Sequence, residues 1–495
     1  MASGRGLPSV LRTQTYERPE RQDINTDILY PVSINQNSVK FVFNRTGVLD
    51  SNSQINLRQT CNQILGAEQS CVLPTATGAL AMIERAYLTI GGRRVSTLER
   101  VGHYSTWKRL HWSQEYKEGI AKSKQGGDDC FYGSASRVIE AIAPPSLTKV
   151  NARGFASPYG QLGRRSNEYA KTPLDGTMNA TETDRQTLLS RVITSDPTTS
   201  PDMACTISQF IPFLKGVQLP LFAIREEVAL VIEFAPNTFG HRFVVPQATA
   251  ANEANIFSTI VTSEVYLMVD YLYFPDQLQM LTEEMMQGGG YDIEYDEIQV
   301  IENTENALVA GQTAVDIQLP LGGKKVKSVV MQQQRVDGAH AVYPNIGLYT
   351  SVALGLGQSM NLWIDSTPFY NKNITNQSLM LQEANEVEGV PLQLPDYKWC
   401  WTNQVNNVGA LSKPGLSDRL FNGYANSEEI ATSQFLGVKL ENAAGQGIRI
   451  SNLPMIWKRE ATVAAGDAGR QFLLRFFIKT QRLLNISNGI VHMIE

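Results

Sequence analysis

The chain has 495 residues, a formal net charge of −5, and only 18% Asp, Glu, Lys and Arg. A chain of this length exceeds what one hydrophobic core usually serves, so we expect two domains. The mild net charge excludes a general electrostatic attraction to nucleic acid or to an anionic membrane.

The cysteine set and the N-terminus indicate where the chain folds. The cysteines are scattered and form no CxxC pair, which is typical of free thiols in a reducing compartment such as the cytoplasm or nucleus. They are Cys61, Cys71, Cys130, Cys205 and Cys400. Residues 1–23 contain no apolar run, so we expect no signal peptide, and no stretch approaches the roughly 18 apolar residues of a membrane span.

The first 34 residues differ in composition from the rest of the chain. Residues 1–34 mix Pro, Arg, Gln, Thr and Asn with few apolar side chains, which predicts an extended or disordered N-terminal arm that contacts a partner rather than a core. Strand patterns begin directly after this arm. Apolar residues occupy alternate positions around Phe41, Leu57 and Leu88, as expected for strands with one buried face.

A helix is predicted after the glycine pair at 91–92. Ser96 and Glu99 have the spacing of a helix capping box. Apolar residues recur behind them at every third position, which gives the helix one apolar face that packs along a sandwich. These residues are Leu98, Val101, Tyr104, Trp107 and Leu110.

A long polar segment separates two groups of strands in the first half. Residues 117–202 are rich in Gly, Ser, Thr and Arg, which predicts an insertion between strands that forms functional surface. Alternation returns at Val228–Phe234, and a longer strand is expected over 256–274. We therefore assign residues 35–274 to the first domain.

The next segment has the signals of a short helix between domains. Pro275 suits the first turn of a helix because its φ is fixed, and the glycines at 288–290 end it. We assign 275–290 to this linking helix and turn, and 291–495 to the second domain. Many short strands with few helix signals occupy that domain, which predicts an all-β fold of two tandem antiparallel sandwiches. The expected strands are 315–319, 326–331, 349–356, 435–440, 448–450 and 474–478.

Residues that could carry chemistry are few. His103 and His111 could share a helix face, but a metal needs three or four ligands, so we interpret them as histidines on a wet helix surface. Glu283 and Glu284, together with the acidic stretch 292–297, are interpreted as a solvated surface rather than a pair of catalytic carboxylates. We therefore predict no catalytic, cofactor-binding or metal-binding residues, and no enzyme.

Three basic clusters are the candidates for phosphate contacts. They are Arg93 with Arg94, Arg164 with Arg165, and the lysines of 324–327. Nucleic-acid binders gather many more basic residues on one face, so we predict no specific nucleic-acid binding. The glycine pairs lack the GxGxxG or GxxxxGK[ST] context of a phosphate loop and are interpreted as turns.

Six segments, taken in order, resemble the double jelly-roll major capsid proteins of eukaryotic DNA viruses. They are 43–57, 88–95 with Tyr104 and Trp107, 219–224, 269–274 with the helix after it, 315–321, and 481–489. Departures from the pattern of the larger viruses occur at Phe222, Pro275 and His492. These place the resemblance closest to the virophage and polinton-like virus branch.

The resemblance implies a structural role. It implies two eight-stranded jelly rolls with short helices and long loop insertions, and a homotrimer that forms a pseudo-hexameric capsomer. Its implied partners are neighbouring capsomers, penton proteins and minor capsid proteins in an icosahedral virion assembled in the host cytoplasm or nucleus.

The alternative is a lectin-like attachment protein that binds carbohydrate. Such a protein would cluster exposed aromatic residues on one loop surface, whereas the tryptophans here are spread among predicted strands. These tryptophans are Trp363, Trp399, Trp401 and Trp457. A single-roll minor capsid protein fits the chain length poorly, and a jelly-roll enzyme of the cupin kind would need clustered His and Glu ligands.

Overall fold

The computed structural model describes most of the strand-rich parts of the chain. The described residues are 23–61, 71–72, 78–113, 116, 120–121, 124–125, 192–193, 202–215, 217–235, 260–288, 290–304, 314–335, 359–389, 435–451, 453–460 and 471–494. Within them, strands far outnumber the three α-helices, so the all-β prediction is confirmed.

Thirteen strands belong to the first half of the chain. In chain order they are β1 (Asp23–Leu29), β2 (Ser33–Ile34), β3 (Ser38–Val42), β4 (Val48–Leu49), β5 (Gln54–Cys61), β6 (Cys71–Val72), β7 (Ile83–Ile90), β8 (Arg93–Glu99), β9 (Val192–Ile193), β10 (Asp202–Thr206), β11 (Leu219–Pro220), β12 (Val228–Phe234) and β13 (Ile260–Tyr273). Short 3-10 helices cover Gly78–Met82, Ile207–Gln209, Pro212–Leu214 and Leu221–Ala223.

Eleven of these strands form two antiparallel sheets that face each other, and β6 pairs with β9 in a separate two-stranded sheet. The first sheet has the order β10-β5-β13-β4-β11, with β1 also paired to β13, and the second has the order β2-β3-β12-β7-β8. Alternation explains the core: on β12, Leu230 lies opposite Phe41 of one neighbour and Leu88 of the other, and all three are fully buried. Leu57 and Val269 supply the facing layer from the first sheet.

The second half repeats the arrangement. Its strands are β14 (Tyr291–Thr304), β15 (Ala314–Leu319), β16 (Lys325–Arg335), β17 (Ser359–Ile364), β18 (Thr367–Pro368), β19 (Leu436–Lys439), β20 (Ile448–Arg449), β21 (Met455–Glu460), β22 (Phe472–Ser487) and β23 (Ile490–Ile494). One sheet has the order β14-β22-β16-β19, with β20 on β16 and β23 on β22, and the other has the order β15-β21-β17-β18. Trp457 and Phe476 meet in the core between them, with ring centroids 5.8 Å apart.

Three α-helices accompany the sheets in the described residues: α1 (Val101–Leu110), α2 (Asp276–Gly288) and α3 (Gln377–Glu388). Helix α1 is where the apolar spacing predicts it, but the predicted capping box is wrong. Ser96 and Glu99 lie in strand β8, and the helix is preceded by Arg100 in the left-handed region, with no side-chain cap. Hydrogen bonding of β8 to β7 takes precedence over the local capping signal.

Helix α3 was not expected, because the second half of the sequence was predicted to contain strands and few helices. Its buried residues Met380, Ala384 and Val387 follow helical spacing, and Ala384 and Val387 lie against Gly437 of β19. A side chain at Gly437 would meet the Val387 methyl group at 2.9 Å, so glycine permits this close approach.

The predicted N-terminal arm and the predicted insertion 117–202 can each be compared with the structure. Residues 23–34, assigned to the arm, include strands β1 and β2, and β1 pairs with β13 over its whole length from Asp23 opposite Tyr273 to Leu29 opposite Leu267. Most of the predicted insertion 117–202 lies outside the described residues, as does the expected strand 349–356. Gln125 at its start is buried, and its main-chain carbonyl accepts a hydrogen bond from the Ala79 amide at 2.7 Å.

Candidate functional site

The site that emerges from the described residues is the junction between the two sandwiches. Helix α1 lies at its centre, with Val101, Tyr104, Trp107 and Leu110 buried as their spacing predicts. The covering side chains come from the second half of the chain. Tyr104 lies against Phe477 and Trp107 against Phe435, each with ring centroids 5.5 Å apart. The apolar face of α1 therefore joins the two sandwiches.

An ion pair between two helices spans the same junction. Lys108 of α1 contacts Glu388 at the end of α3, and the Trp107 indole donates to the Glu388 carboxylate at 3.0 Å. Burial lowers the pKa of Lys108, and Glu388 offsets part of that effect. Burial alone would raise the pKa of Glu388, but Lys108 outweighs it, so this pKa lies below its ordinary value. Glu388 therefore keeps its charge at neutral pH and offsets part of the cost of burying the Lys108 ammonium group.

The acidic stretch 292–297 lies in β14 and is engaged in ion pairs. Asp296 contacts Lys327 at 2.7 Å and Lys479 at 3.0 Å, and Glu297 contacts Arg482 at 2.6 Å. Its interpretation as a solvated surface is therefore wrong for these two residues. Burial raises the pKa of Asp296, but the two lysines outweigh that effect and leave it below its ordinary value. Such paired carboxylates stabilise the sheet and are poor general acids at neutral pH.

A second charged network is centred on Arg475 of β22, which is 2% exposed. Its guanidinium donates to Glu302 of β14 at 2.6 Å and to Gln332 of β16 at 2.7 Å. Glu302 also accepts from Arg100 at 2.9 Å, and Arg100 contacts Glu84 of β7. The network therefore links strands of both sandwiches through Arg100, the left-handed residue in front of α1.

Both helix histidines belong to this junction, so their assignment to a wet surface is wrong. His103 Nδ1 lies 3.0 Å from the Arg475 guanidinium, which can only donate, so this ring nitrogen accepts. The His111 ring meets Trp107 edge-on at 4.5 Å between centroids. Within the described part of the chain, no three His, Cys, Asp or Glu residues are placed to hold a metal ion.

The C-terminal hairpin adds a main-chain connection between the sandwiches. Asn488 and Gly489 turn the chain with φ of 53° and 78°, as an Asn-Gly turn does. The Gly489 carbonyl accepts from the Arg225 amide at 2.9 Å, and the Val491 amide donates to Glu226 at 3.0 Å. The segment 481–489, singled out by resemblance, therefore fixes the end of the chain on the first sandwich.

A polar cavity of about 200 Å³ opens beside this junction. Its charged lining consists of Glu84, Arg85, Glu99, Arg100 and Glu302. Each carboxylate there has an arginine partner, with Arg85 contacting Glu99 at 3.2 Å. These ion pairs hold β7, β8 and β14 together around the cavity.

Some residues of the predicted basic clusters also contact other side chains of the same chain. Lys324 contacts Gln299, and Lys327 is almost buried in its ion pairs, whereas Lys325 is exposed on β16. Arg94 lies over the Tyr87 ring at 4.4 Å, beside exposed Arg93. Arg164 and Arg165 lie outside the described residues. In the described part of the chain, no helix has the length and apolar character needed to cross a membrane.

Comparison with solved structures identifies the architecture. The chain is similar to PBCV-1 VP54 fitted into a reconstruction of the virophage Sputnik, with a TM-score of 0.55 and 11% identity over 97% of this chain and 98% of that chain. The structure of the Sputnik virophage gives 0.52 and 12% identity over 97% and 91%. The Faustovirus major capsid protein gives 0.51 and 7% identity over 96% and 92%.

This chain has the double jelly-roll fold. The two sandwiches are its two jelly rolls, and the similar structures are major capsid proteins of double jelly-roll viruses. No protein-family model matches the sequence, and a search of curated proteins finds no relative. At identities of 7 to 12% the fold is retained while nearly every side chain differs.

Proposed function

We propose that this chain is the major capsid protein of an icosahedral virus, of the virophage or polinton-like kind. The observation that carries the proposal is the agreement with two-roll capsid proteins over 96 to 97% of this chain, which includes both rolls and the junction between them. Three copies with two rolls each would present six similar units around one axis. Such a pseudo-hexameric capsomer tiles an icosahedral shell with its neighbours.

The junction supports this role physically. A capsomer keeps a fixed outline only if the two rolls of each copy do not move against each other. The apolar contacts of α1, the pair Lys108–Glu388 and the network of Arg475 connect the rolls through groups that are costly to separate, because each charge would lose its buried partner. We infer a structural rather than an enzymatic role for these charged residues.

The domain division follows from the same proposal. The first roll would occupy about residues 35–274, with β1 and β2 of residues 23–34 added to its sheets, and the second roll about 291–495, with α2 between the two. Limited proteolysis of the assembled capsomer tests the division. Cleavage confined to segments outside both rolls would support it, and early cleavage within β13 or β14 would contradict it.

The assembly itself is tested by mass and by imaging. Light scattering on the purified protein should give about three times the 54.8 kDa mass of one chain. Electron micrographs of particles should show a shell of hexagonal capsomers, closed at its vertices by penton proteins. A stable monomer that never assembles would overturn the proposal.

The N-terminal arm is tested by two deletions of different length. Deletion of residues 1–22 leaves β1 in place, so the fold should persist while shell assembly is impaired. Deletion of 1–34 also removes β1 from its pairing with β13. Unchanged assembly after the shorter deletion would contradict an assembly role for the arm.

The structure offers little to the carbohydrate-binding alternative. Trp457 is fully buried in the second core, and the Trp363 ring is covered by Lys458 at 4.1 Å. Trp399 and Trp401 lie outside the described residues. Specific binding on a glycan array would favour an attachment protein, and no binding would support the capsid proposal.

A further inference from the structure

Two of the five histidines of the chain lie at the ends of helix α1, at the junction of the two rolls. His103 is in the first turn of the helix, and His111 directly follows its last residue. Both are buried, at 7% and 8% exposure. Histidine is the side chain whose ordinary pKa, about 6.5, lies close to neutral pH. A buried histidine in a contact between two domains can therefore make that contact sensitive to mild acid.

The contact of His103 connects the two rolls. His103 belongs to the first half of the chain, and its Nδ1 lies 3.0 Å from the guanidinium of Arg475, on β22 of the second half. The same guanidinium nitrogen donates to Gln332 of β16 at 2.7 Å. A guanidinium in a protein stays protonated and can only donate. The contact between the rolls therefore requires an Nδ1 without a proton, that is, a neutral imidazole.

The charged groups around this contact already balance each other. Glu302 accepts from both arginines of the network, and Glu84 contacts the second of them. His103 is the third residue of α1, where the positive end of the helix dipole also opposes a cation. A proton on His103 would add an unbalanced positive charge 3.0 Å from a guanidinium. The charged groups are Arg475 of β22, Arg100 before α1, Glu302 of β14 and Glu84 of β7, and the neighbouring Gln332 and Gln334 of β16 are neutral.

We propose that His103 is a pH-sensitive contact between the two rolls. While neutral it accepts from Arg475 and holds α1 against the second roll, and when protonated it repels Arg475 and loosens the junction. The carboxylates of the network respond only to stronger acid, since the pKa of Glu302 lies below its ordinary 4.5. In the proposed capsid protein, His103 would therefore weaken each subunit in a mildly acidic compartment. The contact lies within one chain, so its test does not depend on the capsomer.

The direction of the effect follows from proton binding. In the unfolded chain His103 takes up a proton below about pH 6.5, whereas the folded junction holds it neutral. Its contribution to stability is therefore complete above that pH and decreases as the pH falls. The folding equilibrium constant decreases by up to about tenfold per pH unit for one such proton, and by about tenfold in total between pH 7.5 and 5.5.

The variant His103→Gln tests the contact. Its amide oxygen can accept from Arg475, and it stays neutral at every pH. Urea unfolding is measured between pH 7.5 and 5.5 at one fixed protein concentration. The folding equilibrium constant of the unaltered chain should fall by about tenfold more over this range than that of His103→Gln. Hydrogen exchange of the α1 amides, corrected for its intrinsic pH dependence, should accelerate with acid in the unaltered chain and not in the variant.

Two further variants separate this contact from general effects of acid. His492→Gln replaces an exposed histidine on β23 and should keep the full acid loss of the unaltered chain. Gln332→Glu places a negative charge beside Arg475, which balances a protonated His103 and should make the acid loss smaller. Circular dichroism at pH 7.5 establishes that each variant is folded.

The outcomes either support the contact or overturn it. Equal acid losses in the unaltered chain and in His103→Gln overturn it, as does a stability of the unaltered chain that stays constant between pH 7.5 and 5.5. If His103→Gln does not fold, an acid loss that Gln332→Glu leaves unchanged overturns the contact instead. A chain that shows the expected loss but never forms trimers supports the contact and contradicts the capsomer, so the two proposals fail separately.

Discussion

Glu388→Gln removes the negative charge opposite Lys108 while keeping the size of the side chain. The glutamine oxygen still accepts from the Trp107 indole, so the change isolates the charge. Lys108 then stays buried without its counter-ion, beside Lys215, whose pKa Lys108 already lowers. Removing one partner of a buried pair costs about 3 to 5 kcal/mol. Since the side chains are still 18% and 15% exposed, we expect about 3 kcal/mol.

The assay is guanidinium denaturation at pH 7 followed by far-UV circular dichroism at one fixed protein concentration. The matched control is Glu227→Gln, which breaks the exposed pair with Lys40, where the side chains are 51% and 39% exposed. That change should cost less than about 1 kcal/mol. Replacing Lys108 and Glu388 together by Met should recover most of the lost stability, because no buried charge is left alone.

Two results would refute this reasoning. Equal losses in Glu388→Gln and Glu227→Gln would show that the junction pair is as weak as a surface pair. A double Met variant no more stable than Glu388→Gln would show that the loss comes from packing rather than from the unpaired lysine.

Three further outcomes are expected. Trp457→Ala should destabilise the second roll by about 3 to 5 kcal/mol, measured by denaturation, because it empties a fully buried site; a loss below about 1 kcal/mol would contradict the packing. Gly47→Ala should cost more than Gly92→Ala, since both have positive φ but only the first brings a Cβ to within 2.8 Å of a backbone oxygen, that of Leu272; equal losses would count against that contact. Acid should weaken the junction: the folded pKa values of Glu302 and Glu388 lie below their ordinary 4.5, so their stabilisation is complete above that pH and is lost as pH falls through the folded values. A pH titration of unfolding should show this loss, and Glu302→Gln should reduce it; stability that stays constant in acid below the ordinary glutamate pKa would contradict the pairing.

The strands and the all-β class could be predicted from the amino-acid sequence. Alternating apolar residues mark a buried face, so the strands around Phe41, Leu88 and Leu230 were predictable from their period alone. Helix α1 was also predictable from its period, because its apolar spacing is found in the structure although its predicted capping box does not form. Helix α3 carried a readable signal in Met380, Ala384 and Val387 that was missed among strand patterns.

The groups that cover these faces are set by tertiary packing. A period shows that Trp107 is buried, but its partner Glu388 stands 281 residues away and is chosen by how the two rolls pack. The acidic stretch of β14 has the composition of a solvated surface. Its lysine partners come from β16 and β22, so the local sequence does not show that its charges are paired. Burial and charge pairing depend on contacts distant in sequence, whereas periodicity records only the local face. For that reason the two sandwiches could be predicted from the chain, and the junction that unites them could not.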